Sequence, residues 1–489
     1  MQKTLTIEAS KIVSALVILI SLLTFFLIPN TIMKYGYMPD DDAMRHVAKV
    51  ISHKDWNQIL VLRSDIKLDP SLGWHKFLGF IYNFTDVDAK GLLCFCVISL
   101  FFLFCVTPIP VIRRPEAWLL ALIVMGIMPT TEFYLFDRIL RGRPYIVTMA
   151  VILAMGFLWP KLNDKKSYLK TAGIMVALIA VSTYLHSSWY LFAIPIACFF
   201  IARQWRAGIA LSVSAIIGIS IGAIFTCHPF IFLTQTLRHL FLALGTHKTQ
   251  AELVTEFRAG AASTLAIGAI FLMLIWRRTR GSQNLKISRD PIFMMTVLCM
   301  ALGCLTRRIW FDLGRPAFCV WMTLEFQEYL ESIMERDSLK RILLVVVLAV
   351  TLMTLVATDP ENRWSANHPL MALSPEKTEL ALWIPEDGGI VYSDSMEIFY
   401  QTFYKFPKAK WRYIFGFEAG LMPPEDLAIL RNIQSSNRAV ASFEPWVRKM
   451  RPADRLILPD TSNNVQFIHN LEWLNTLRGV WIGRLPRKK

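Results

Sequence analysis

Lys11–Pro29 (KIVSALVILISLLTFFLIP) is followed after a short gap by Pro39-Asp40-Asp41-Asp42-Ala43-Met44-Arg45-His46-Val47-Ala48-Lys49. An apolar run of about 20 residues is enough to cross a bilayer as a helix. The chain therefore enters a membrane, leaves it, and at once sets three adjacent carboxylates at the surface. Like charges this close raise each other's pKa and are costly to crowd together. Such a cluster suggests a cation, a substrate hydroxyl or a basic partner.

Composition fixes the class around that stretch. The chain has 489 residues, 54% hydrophobic and 18% charged, with a mean hydropathy of +0.42. Soluble domains are about 45–50% apolar and about 25% charged. The apolar excess lies in discrete blocks, so the fold class is an α-helical polytopic membrane protein. The net charge of +15 could suggest nucleic acid. That partner is excluded, because many basic residues stand between hydrophobic blocks, where they set topology.

The blocks predict about eleven transmembrane helices, at roughly 11–29, 91–111, 117–135, 144–160, 168–185, 188–203, 207–226, 260–276, 291–306, 316–333 and 341–357. The weakest is 316–333, which carries Glu325, Glu328 and Glu331. Basic residues cluster in every second loop: Arg113-Arg114, Lys161 to Lys170, Arg203 with Arg206, Arg277 to Arg289, and Arg336 to Arg341. The positive-inside rule then puts the N-terminus in the cytoplasm and the C-terminus outside. Span one reads as a retained anchor rather than a cleaved signal. Two domains are expected: 1–357, a transmembrane domain including a first outer loop at 30–90, and 358–489, a small extracytoplasmic α/β domain. All eight cysteines lie in or beside apolar spans, so no disulfide framework is implied. That absence and the short loops point to a bacterial inner membrane.

Within the outer loop, Met44, Val47, Ala48 and Ile51 share one face of a predicted helix, with Asp42 as its N-cap. A second amphipathic stretch, Leu72–Tyr82, carries Trp74, Phe77, Phe80 and Tyr82. Both read as interfacial helices lying on the membrane. The bland reading of Asp40–Asp42 is helix capping and solvation.

An anchor, an acidic pair opening the first outer loop, and a following amphipathic helix together resemble the GT-C glycosyltransferase superfamily. That group includes the aminoarabinose transferases, the protein O-mannosyltransferases and the oligosaccharyltransferase catalytic subunits. Asp41 to Trp56 is similar to the superfamily's acidic pair, Ala and Gly-Asp-Trp pattern. It departs at Arg45-His46, where Arg-Tyr is usual, and at Lys54, which stands where Gly precedes Asp55-Trp56. The resemblance implies an integral membrane glycosyltransferase with its active site facing the outside. Its donor would be a polyprenyl-phosphate-linked sugar, and its acceptor a lipid, glycan or protein. The base, or the ligand of a divalent cation (Mg or Mn), would be Asp41, then Asp40, with Asp42 the cap. Superfamily members differ in whether they use that metal.

A phosphate leaving group calls for cations on the same side, and three outer loops carry them against the positive-inside trend. They are Arg138, Arg141 and Arg143; Arg238, His239, His247, Lys248 and Arg258; and Arg307, Arg308 and Arg315. The planar guanidinium binds two phosphate oxygens at once, while the bland alternative is snorkelling to headgroups. Phe136-Asp137-Arg138 to Gly142-Arg143-Pro144 and Phe311-Asp312 to Gly314-Arg315-Pro316 echo each other at the outer starts of two spans. Each puts an Arg beside a helix N-terminus, a plausible anion site. His186, at an outer turn, is a further candidate, and Glu132 a second carboxylate or an ion-pair partner. No His, Asp or Glu set has a zinc spacing.

In the C-terminal region, strands are predicted at 389–394, 410–417, 455–458 and 479–483, with a helix at 397–404. No catalytic motif is evident there. The domain would cover the site, select the acceptor or simply add stability. The alternatives left open are a lipid-linked glycan polymerase or ligase, and a transporter. The first tends to place its large outer loop late, and the second carries charge inside its spans.

Overall fold

A bilayer offers no water to backbone N–H and C=O groups, so apolar runs of this length must close their hydrogen bonds within helices. A computed structural model of the chain describes residues 2–39, 41–128, 135–244, 264–335, 339–366, 378–459, 468–476 and 480–486. The described parts of the predicted spans fall on helices, from Gln2–Lys34 to Leu339–Ala357. Among the described residues six helices are long and apolar enough to cross a membrane: Lys11–Lys34, Ala89–Val106, Tyr145–Leu162, Tyr168–Leu185, Trp205–Ile224 and Leu339–Ala357. Pro115–Ile127, Ser188–Ile201 and Pro291–Gly303 are apolar but shorter.

The chain forms two compact units. A helical unit comprises Met1–Tyr37, Phe95–Pro229 and Thr255–Ala366, and a mixed unit comprises Met38–Cys94, Phe230–Val254 and Asn367–Lys489.

Charge inside the helical unit is paired. Glu116 is wholly buried and accepts from Arg341 Nε at 2.8 Å and from Arg114 Nη1 at 3.3 Å. This fastens the helix Pro115–Ile127 to Leu339–Ala357. The glutamates that weaken span 316–333 are paired the same way, on the helix Arg315–Ile333. Glu325 is buried against Arg277 and Arg280, and Glu328 meets Arg280 at 2.7 Å. Glu331 lies 3.8 Å from Arg113. A buried carboxylate persists only when paired and hydrogen-bonded, which these are.

In the mixed unit a five-stranded sheet has the order β2-β1-β3-β5-β4. Its strands are β1 (Ile390–Tyr392), β2 (Arg412–Tyr413), β3 (Arg455–Pro459), β4 (Glu472–Thr476) and β5 (Val480–Arg484). β1 runs parallel to β2 and β3, while β5 is antiparallel to β3 and β4. Alternation sorts the side chains to two faces. Val391 and Ile457 join a cluster with Phe399, Phe403 and Phe417, whereas Tyr392, Leu456 and Leu458 join one with Trp446 and Ile433. The predicted helix at 397–404 is Met396–Lys405. Strand β4 was not predicted. It is an edge strand of mixed exposure whose sequence, Glu-Trp-Leu-Asn-Thr, has no clean alternation.

The outer loop supplies the rest of this unit. Both of its predicted helices are present, as Asp42–Ser52 and Leu72–Thr85. Between them Asp55 and Gln58 form a capping box on the short helix Trp56–Ile59. Leu60 bridges to Tyr413 in parallel, and Val61 N–H donates to the Tyr413 carbonyl at 2.9 Å. Ala48, Trp56, Ile59 and Leu60 complete the cluster on the Phe399 face.

Candidate active site

The acidic opening of the loop lies within the mixed unit. Asp40 is outside the described residues. Asp41 is buried, 6% exposed, and occupies the N-cap position. The cap predicted at Asp42 therefore falls one residue earlier. Asp42 is instead in the first helical turn, and its Oδ1 turns to Arg45 Nε at 2.6 Å rather than to the backbone. Tyr400 OH donates to the same oxygen at 3.4 Å. Arg45 is buried, with its guanidinium carbon 3.9 Å from the Phe417 ring centroid. Burial works against its charge, but Asp42 beside it outweighs burial and raises its pKa. Asp42 is thus the counter-ion of a buried cation.

Behind this helix runs a buried chain that the sequence did not reveal. His46 Nδ1 and His75 Nε2 lie 2.7 Å apart, and His75 Nδ1 meets Asp69 Oδ2 at 2.5 Å. The Ser71 N–H donates to Asp69 Oδ1 at 2.9 Å. Burial pushes the His75 pKa down, and the nearby Lys49 and Arg45 push the same way against Asp69. Burial pushes the Asp69 carboxyl up, yet His75 and the Ser71 N–H bring it below its ordinary value. The arrangement with Asp69 ionised and His75 neutral satisfies both. His75 then donates from Nδ1 to Asp69 and accepts at Nε2 from His46 Nδ1–H, a tautomer assignment that follows from the bonding. Nothing in the sequence links residues 29 positions apart.

In the helical unit the two echoing segments meet. Arg138, fully buried, grips Asp312 with Nε at 2.9 Å and Nη2 at 3.2 Å. Arg308 Nε reaches the same carboxylate at 3.0 Å. Arg315, also buried, stacks over Phe311 at 4.3 Å and lies within electrostatic reach of Arg138, Asp312 and Asp137. The Arg138 guanidinium sits 4.6 Å over the Tyr145 ring, and the Tyr145 hydroxyl donates to the Arg138 carbonyl at 3.3 Å. Tyr145 in turn faces His186, ring to ring at 6.3 Å, and His186 Nδ1 is 2.6 Å from Ser188 Oγ. Three separate loops thus converge on one cluster, with three guanidinium groups against Asp137 and Asp312. Arg141, Arg143 and Arg307 stand near these segments in sequence and are half-buried.

The second basic loop is divided. Arg238 belongs to the mixed unit and pairs with Asp65 at 2.9 Å. His239 lies there too, its pKa lowered by burial. His247, Lys248 and Arg258 fall outside the described residues, as does Glu132. Among the described residues no three of His, Cys, Asp or Glu gather where a metal ion could sit.

No family model and no curated protein matches this chain. Among solved structures it is similar to ArnT from Cupriavidus metallidurans bound to undecaprenyl phosphate. The TM-score is 0.59 at 10% identity, covering 96% of this chain and 97% of that one. The chain shares the fold of that protein over nearly its whole length. An oligosaccharyltransferase from Archaeoglobus fulgidus, solved with Zn and sulfate, gives a TM-score of 0.48 at 10% identity, over 91% and 68% of the two chains.

Proposed function

We propose that this chain is a membrane glycosyltransferase of the GT-C type. It moves a sugar from a polyprenyl-phosphate carrier to a lipid, glycan or protein acceptor on the outer face of a bacterial inner membrane. The observation that carries this reading is the likeness, over nearly the whole of both chains, to a protein solved with undecaprenyl phosphate. The chemistry asked of the residues is modest. The acceptor oxygen attacks the anomeric carbon, its proton passes to a carboxylate, and the sugar–oxygen bond to the carrier phosphate breaks. Asp41 takes the proton. Charge then develops on the departing phosphate, where guanidinium groups stabilise it through paired hydrogen bonds.

The arginines divide between two tasks. Arg138 is saturated by Asp312 and Tyr145 and is a positioning residue for the cluster. Arg141, Arg143 and Arg307, half-buried, are the phosphate contacts, with Arg308, Arg315 and His186 setting the field around them. Lys248, outside the described residues, stays a candidate phosphate ligand from its sequence alone.

The test is turnover of polyprenyl-phosphate sugars by the purified full chain with an envelope extract as acceptor source. Asp41→Asn lowers turnover on the order of 10²–10⁴-fold, the usual worth of a general base. Asp42→Asn lowers thermal stability more than turnover, since it strips a buried arginine of its counter-ion. Equal activity in wild type and Asp41→Asn would remove Asp41 from the mechanism.

A further inference from the structure

The first outer loop encloses a cavity of about 270 Å³ that the transfer chemistry does not use. Its lining runs from Lys49 to Leu72, all within the mixed unit. Part of the wall is apolar, made by Trp56, Leu62 and Ile66. The charged part is Lys49, Lys67, Asp55 and Asp69, two cations against two anions. A wall with no net charge gives a phosphate or a carboxylate no advantage. It suits instead a neutral molecule with many hydroxyls on one side and C–H groups on the other.

Two observations say that the polar groups are set in advance. Asp69 is held by His75 and by the Ser71 N–H, and His75 is backed by His46. Its carboxylate therefore keeps a fixed orientation and an acceptor capacity beyond those two bonds. Lys49 Nζ is held over the Trp56 ring, 5.8 Å from its centroid, and donates to the Lys54 carbonyl.

We propose that this cavity binds a single neutral saccharide ring. The C–H face of the sugar lies against Trp56, Leu62 and Ile66. Its hydroxyls donate to Asp69 and Asp55 and accept from Lys67. The volume is just under the usual range of small-molecule sites, about 300–1,000 Å³, which favours one ring over a chain. The inference is independent of the transferase reading, because binding is read without donor or acceptor turnover.

The experiment is ligand-observed NMR on the full chain in lipid nanodiscs, since sugar-headed detergents would compete. Glucose, mannose, galactose and N-acetylglucosamine are the probes, with inorganic phosphate beside them. At least one sugar should bind with a dissociation constant on the order of millimolar. Asp69→Asn should weaken it by about tenfold or more, because a charged acceptor is lost. Asn57→Phe, on the rim and clear of the His75 chain, should abolish it by filling the cavity. It decides the matter even if Asp69→Asn misfolds. No binding by any sugar, binding of phosphate alone, or binding unchanged in Asn57→Phe would overturn the proposal.

Discussion

Asp312 is one carboxylate with two arginines bonded to it, 174 and 4 positions away in sequence. The sequence marked the Phe-Asp and Gly-Arg-Pro echoes as parallel anion sites. The structure shows why one of their arginines is not free for that work, since Arg138 of the first segment is spent on Asp312 of the second. Removing one partner of a buried ion pair leaves an uncompensated charge and costs about 3–5 kcal/mol. Asp312→Asn should therefore lower the melting temperature sharply. Arg141→Gln should raise KM for the polyprenyl-phosphate donor. Thermal unfolding and donor kinetics on the same preparations check both. A full melting temperature in Asp312→Asn would mean that the cluster carries no structural load. Which arginines stand in loops between apolar spans was legible from the sequence. Which of them were already paired was not, because the pairing joins distant loops.

Helices read well from hydropathy, since the bilayer constraint acts on each span alone. How they pack is a separate matter, decided by small residues. Gly218 and Gly222 lie four apart on the helix Trp205–Ile224 and face Tyr168–Leu185. A Cβ added at Gly222 would stand 2.6 Å from the Ala180 carbonyl oxygen and 2.7 Å from Thr183 Cβ. Neither neighbour can yield cheaply, one being backbone and the other β-branched. Close approach of backbones through small residues four apart is a common way for helices to associate in lipid. Gly222→Val should destabilise the protein by about 1–3 kcal/mol through overpacking. Gly173, on the partner helix, has nothing within 4 Å of a built Cβ. There Gly173→Ala should be neutral or stabilising by up to about 1 kcal/mol, from helix propensity. Melting curves of the two variants side by side separate packing from propensity. Equal shifts in both would mean that the helix contact is slack. The Gly-x-x-x-Gly spacing was present in the sequence, but only the partner helix gives it meaning.

At the scale of the whole chain, the mixed unit is assembled from segments far apart in sequence, and this was the least legible feature. Periodicity gave the loop helices and four of the five strands. It could not say that loop residues finish the sheet domain's core, because that depends on contacts more than three hundred residues apart. Lys54, for instance, donates to the Ala409 carbonyl. Trp56, Ile59 and Leu60 are buried only because Val391, Phe399, Phe403, Tyr413 and Phe417 cover them. Val61 N–H donates to the Tyr413 carbonyl and Arg63 N–H to the Leu421 carbonyl, each at 2.9 Å, so the loop is held by hydrogen bonds as well as by apolar area. A chain ending at Ala366 would leave that apolar face of the loop in water, at about 25 cal/mol for each Å² exposed. Limited trypsin digestion in nanodiscs should then cut at Lys49, Lys54 or Arg63 at doses that leave these sites intact in the full chain. The helices of the other unit should stay protected in both, since their ion pairs Glu116–Arg341 and Glu325–Arg277 are internal to it. An unchanged cleavage pattern in the loop would show that residues 38–94 hold their fold alone. The C-terminal segment would then be an addition to the loop rather than the other half of its core.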